Sequence, residues 1–151
     1  MGSSPYAHLV YGVNLDSEAA ESLPWDPFNS GQDFDEWVES LVQLPVDPSA
    51  ESELDWTDWR KMPGNIELYA QYQLARRAAI DTIPIEEVVY DSDNGDRLIA
   101  IRGTVNSADW NGAVEPVMTV TAQQIEAAKV FCAKHGIPFE DPKWLLIAEY
   151  G

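Results

Sequence analysis

Apolar and polar positions change period several times along this chain of 151 residues, and each change marks an element. Residues 7–15, Ala-His-Leu-Val-Tyr-Gly-Val-Asn-Leu, predict an opening strand, with Gly12 expected at a bulge. Residues 16–32 are rich in Asp, Glu, Pro, Asn and Gly and predict a loop, which Trp25 and Phe28 should pin to the body. Over 33–43 the period becomes helical: Phe34, Trp37, Val38 and Leu41 form one stripe, and Asp35, Glu36 and Glu39 lie opposite. Pro45 and Pro48 stop that helix. Residues 46–64 predict an acidic loop holding Asp47, Glu51, Glu53, Asp55 and Asp58, with Trp56 and Trp59 between them. Pro63-Gly64-Asn65 separates it from a second helix over 66–82, with Asn65 as N-cap and Leu68, Tyr72, Ala75 and Ala79 as its core stripe.

Residues 86–91 and 97–103 predict two strands of a hairpin, turning at Asp93-Asn94-Gly95-Asp96. After a loop around Trp110, Thr121 and Gln124 form a capping box that opens a third helix. Ile125, Ala128, Phe131 and Cys132 are its buried stripe, and His135-Gly136 with Pro138 ends it. Residues 144–150 predict the last strand. The order β-α-α-β-β-α-β points to an α+β fold, a small, mainly antiparallel sheet of about four strands packed with about three helices. One domain over 1–151 is expected, because a chain of this length buries about 70% of its unfolded surface without staples.

Composition narrows the context. Six Trp, six Tyr and four Phe supply core bulk and argue against disorder. Cys132 is the only cysteine, which points to a reducing, cytoplasmic compartment. No apolar run reaches the ~18–20 residues that span a bilayer. Met1-Gly2-Ser3-Ser4-Pro5 lacks the charged and apolar regions of a signal peptide, and Tyr6 breaks a myristoylation pattern.

Charge changes the picture most. Nine basic residues face 26 acidic ones, a formal net charge of -17. Residues 1–59 hold 13 of those carboxylates and no Lys or Arg. Residues 60–151 hold the other 13 with all nine basic residues, a net of -4. Such a chain does not bind nucleic acid or anionic lipid through a basic face. It attracts basic surfaces instead. A bias toward solubility accounts for the same excess without a partner.

Candidate chemistry is sparse. His8, Cys132 and His135 are the only soft ligands, too few for a zinc site without a converging carboxylate. Residues 91–96 begin like a calcium loop, but Gly95 falls fifth and Arg102 twelfth where the pattern needs Gly sixth and Glu twelfth. No Gly-x-Ser-x-Gly, Walker or Gly-x-Gly-x-x-Gly motif occurs. No catalytic residue, metal or cofactor is therefore assigned. The candidate partner-binding residues are Asp35, Glu36, Glu39, Glu51, Glu53, Asp55, Trp56, Asp58 and Trp59. Carboxylates steer a basic partner and a tryptophan among them anchors it. Equally, Trp25, Trp56 and Trp59 suit pins that hold long loops to a core.

The closing segment from Lys143 to Gly151, the preceding Phe131-Cys-Ala-Lys-His-Gly-Ile137 and the opening Val10-Tyr11-Gly12-Val13 resemble the ends of small acidic proteins of tailed bacteriophages. The resemblance implies a protein made in the bacterial cytoplasm to bind and disable a host factor, and the acidic stretch fits a basic, nucleic-acid-binding host protein as that partner, by DNA mimicry in one version. It brings no catalytic residues with it. Two alternatives stand beside it. One is a nucleotide-binding protein or enzyme whose Arg76, Arg77, Arg97 or Arg102 converge on phosphate. The other is a virion or assembly component that self-associates through an exposed apolar patch.

Overall fold

In β1 (Pro5–Leu15) apolar residues occupy both parities, Leu9, Val13 and Leu15 on one and Val10 on the other. A strand of that kind gains most when both its faces and both its edges are covered. The computed structural model, which describes residues 5–25, 31–91, 96–109 and 113–150, places β1 in the middle of a sheet. The chain gathers into two compact units, residues 1–37 with 84–151 and residues 38–83.

The first unit holds a five-stranded antiparallel sheet: β1, β2 (Ile85–Asp91), β3 (Asp96–Ile101), β4 (Asn106–Asp109) and β5 (Lys143–Tyr150). β5 pairs with β1 along Pro5–Gly12. The opposite edge of β1 is shared end to end, by β4 along Tyr6–Leu9 and by β3 along Gly12–Leu15. β2 continues the sheet beyond β3, and its register shifts between Val89 and Asp91. β2 also touches β5, so the sheet curls. Inside the curl lie Val10, Leu98 and Ala100, with Val88, Tyr90, Val105, Leu145 and Ile147 packed against them.

Two residues make the shared edge workable. A Cβ on Gly12 would stand 2.1 Å from the Ile99 carbonyl oxygen, so only glycine permits β3 to approach there. Gly12 therefore serves a close contact rather than the expected bulge, and pairing runs through it without a shift. Thr104, buried between β3 and β4, donates from its hydroxyl to Ile101 O at 2.7 Å and accepts from Tyr11 N at 3.2 Å. One side chain thus satisfies backbone groups where the ladder changes strands.

On the other face Val13, Leu15, Ile85, Ile99 and Ile101 are buried. The helices α1 (Ser17–Ala20) and α5 (Ala122–His135) pack on β3. α5 opens with the expected capping box and closes with Gly136 at φ 70°. Its buried residues are Ala128 and Cys132, while Ile125 and Phe131 are half-buried. The helix α2 (Phe34–Leu41) follows the expected stripe, with Phe34, Trp37 and Val38 buried and Leu41 39% exposed. Asp33 caps it by accepting from Glu36 N at 2.8 Å. Trp25 is buried against Phe34 and Trp37, and Trp37 meets Phe131 and His135.

The second unit is helical. α3 (Trp56–Arg60) and α4 (Asn65–Ile80) pack together. Asp55 caps α3 by accepting from Asp58 N at 2.8 Å. Gly64, at φ 80°, occupies the N-cap position of α4. Asn65 is not the cap, because its side chain donates instead to Trp59 O at 2.8 Å.

The α+β class and the antiparallel sheet are as expected, but the element count differs. Among the described residues five helices and five strands run in the order β-α-α-α-α-β-β-β-α-β. The extra elements, α1, α3 and β4, are four or five residues long and carry too few positions for a period to register. The stripe on α4 is also corrected. No residue of α4 is buried, and Leu68 is 50% exposed. The half-buried face runs instead through Tyr69, Tyr72, Arg76, Ala79 and Ile80. Phe28, Trp110 and the Asn94-Gly95 turn lie outside the described residues.

Candidate partner-binding surface

The acidic residues singled out from the sequence divide between the units. Asp35 and Glu36 stand exposed in the first turn of α2, where negative charge suits the helix dipole. In the second unit Glu51, Glu53, Asp55 and Asp58 are exposed. None of these six carboxylates takes part in an ion pair among the described residues. Glu39 differs. It is half-buried and held by the Arg76 guanidinium, so its charge is already answered.

The two tryptophans of the acidic segment have separate fates. Trp59 is buried, with 6% of its surface exposed, and pins α3 to its unit. Trp56 is 45% exposed. Its ring stacks on Trp59 at 5.6 Å and 22°, and Tyr69 lies 4.5 Å away. Tyr69 in turn meets Tyr72 at 5.6 Å. The result is an aromatic platform, fixed from beneath and open above, between the acidic positions 55 and 58. Burial raises the Tyr72 hydroxyl above the usual phenol value, and the nearby Asp47 carboxylate and Tyr69 raise it further.

Each arginine considered for phosphate binding has a carboxylate of its own unit within 4.0 Å, the exposed Arg77 least closely. Arg76 holds Glu39, and Arg77 lies 4.0 Å from Asp81. Arg102 lies 3.7 Å from Glu86 and donates to Ile85 O. Arg97, 2% exposed, donates to Glu87 Oε2 at 3.0 Å. The same oxygen accepts from Trp25 Nε1 at 2.6 Å. A loop tryptophan, a strand carboxylate and a strand guanidinium thus form one buried polar group in the first unit. Sequence reasoning missed it, since neither Glu87 nor Arg97 breaks the pattern of its strand in a way that signals burial.

Other chemistry is limited. Cys132 is buried, and burial pushes its thiol up to about 12, which keeps it protonated and inert. Among the described residues no three His, Cys, Asp or Glu side chains gather as a metal site requires. His8 Nδ1 and Ser107 Oγ are 2.8 Å apart across the β1–β4 pair. An apolar groove of about 280 Å³ is lined by Ala7, Leu9, Ala108, Val114, Pro116 and Leu146, with Asn106 and Ser107 at its polar side. Register places the His8 side chain on the opposite face of the sheet from Ala7, Leu9 and Ala108, and His8 does not line the groove. No described helix is long and apolar enough to cross a membrane. Comparison with known proteins gives no match, whether to family models, curated proteins or solved structures.

Proposed function

We propose that this is a non-enzymatic acidic interaction protein that occupies a basic, nucleic-acid-binding surface of a bacterial host protein in the cytoplasm. One observation carries the reading. Thirteen carboxylates and no basic side chain lie in residues 1–59, and Asp35, Glu36, Glu51, Glu53, Asp55 and Asp58 are exposed and outside any ion pair among the described residues. Interleaved opposite charges would neutralise an ordinary surface locally. Here the field extends outward, so it speeds encounter with a basic partner and competes with phosphate for it. Trp56 supplies what charge lacks, an apolar anchor already held in place by Trp59 and Tyr69. Arg76, Arg97 and Arg102 each pair with a carboxylate, which weighs against the phosphate-binding alternative.

The test is capture from bacterial extract at low and high salt, followed by competition. A captured protein should be basic, should be released by salt, and should lose its nucleic acid as this protein is added. Asp35→Lys with Glu36→Lys, or Glu51→Lys with Glu53→Lys, should weaken capture, and Trp56→Ala should weaken it without changing its salt dependence. A captured partner that binds nucleic acid and this protein simultaneously would refute the reading.

A further inference from the structure

Helix α4 spans 16 residues and buries none of them. One ridge along it is apolar from end to end: Ile66, Ala70, Leu74 and Ala78, each four residues after the last. Ile66 is 64% exposed, Leu74 is 71% exposed, and both alanines are exposed. Polar side chains flank the ridge, with Glu67 and Gln71 on one side and Gln73 and Arg77 on the other. Rows at a spacing of four are the ridges by which helices most often interlock.

We infer that this ridge is a self-complementary interface, and that its occupant is α4 of a second copy, packed antiparallel about a twofold axis level with Tyr72. Three pairings coincide at that one level. Leu74 of each copy falls opposite Ala70 of the other, and Ile66 falls opposite Ala78, so large meets small along the whole ridge. Glu67 of each copy falls opposite Arg77 of the other, one ion pair at each end. Arg77 can swing to it, being 83% exposed and held no closer than 4.0 Å by its present neighbour Asp81. The interface is isologous and closes on itself, as a twofold requires. Charge favours the site as well. Two chains of net charge -17 repel, yet within α4 the single acid Glu67 is outnumbered by Arg76 and Arg77. Two copies can approach through this helix without opposing carboxylate rows. The dimer would double the acidic surface offered to a partner, although the inference stands without the function proposed above.

Sedimentation equilibrium over a wide concentration range tests it. The unaltered chain should dimerise reversibly with concentration, and Leu74→Glu, at a position that contributes little to the fold, should be monomeric with an unchanged circular dichroism spectrum. Charge reversal gives the decisive readout. Glu67→Arg alone and Arg77→Glu alone should each lose the dimer, because like charges then meet at both ends. Mixed in equal amounts, the two variants should form a heterodimer, since each end again pairs Arg with Glu. A monomer at the highest concentration, a dimer indifferent to Leu74→Glu, or a mixture that fails to recover association would overturn the proposal.

Discussion

Single side chains carry unusual weight at three positions. Gly12 is the clearest, because any Cβ there meets the backbone of β3 rather than a side chain that can move aside. Gly12→Ala should cost at least about 2 kcal/mol, in the range of overpacked cores, seen as a lower urea midpoint. At the buried Trp25–Glu87–Arg97 group, Glu87→Ala removes the carboxylate from a guanidinium that is 2% exposed. Breaking one partner of a buried pair costs up to about 3–5 kcal/mol, so this variant should show a clearly lower midpoint in denaturant titration. Cys132 gives a pH dependence. Its folded thiol is raised to about 12, above its unfolded value near 9, so the unfolded chain loses this proton first. The contribution is complete below about pH 9 and is lost as pH rises from there toward about 12. A thiol reagent at pH 8 should leave the native protein unmodified and label it only in denaturant.

At the scale of elements, local signals divide by how much they depend on neighbours. The capping box of Thr121 with Gln124 is complete within four residues, and both of its hydrogen bonds are formed. Thr121→Ala should therefore cost about 1 kcal/mol, measured as a shift in the denaturation midpoint. The Asp55 cap of α3 is made in the same way, but it had no apolar period to announce it, and the segment reads as loop from sequence. α4 teaches the reverse. Its length and position were legible, yet its covered face was not. Leu68, Tyr72, Ala75 and Ala79 are as regular as a core stripe, but the aromatic rings of α3 sit over Tyr69 and draw the covered face one position round. Periodicity says that a helix has an apolar side; it does not say which side another element will reach.

At the scale of the whole molecule, the charge imbalance sets the expectations. Like charges on a chain of net -17 repel across the folded state more closely than across the unfolded one. Added salt in the low range should raise the melting temperature, as scanning calorimetry would read, while the same salt weakens capture of a basic partner. Opposite responses to one variable separate a stability effect from a binding effect. The candidate surface was partly legible at this scale. The acidic segment is visible in a simple count, and six of the seven carboxylates singled out in it are exposed. What the count could not reveal is that Glu39 is answered by Arg76, 37 positions away, or that Trp59 is a pin while Trp56 is presented.

The sequence alone settled what depends on a few adjacent residues: the opening strand β1, the stripe of α2, the start and stop of α5 and the concentration of negative charge before Arg60. Only the tertiary structure decided what depends on chain segments meeting from afar. Three strands divide two edges of β1, Thr104 bridges the point where two of them change over, and Glu87 shares one oxygen between Trp25 and Arg97. The physical reason is the range of the forces. Dihedral preference, capping and amphipathic period act within a turn or two of chain. Burial and the pairing of buried charge depend on which surfaces the fold brings together, and no local pattern encodes that choice.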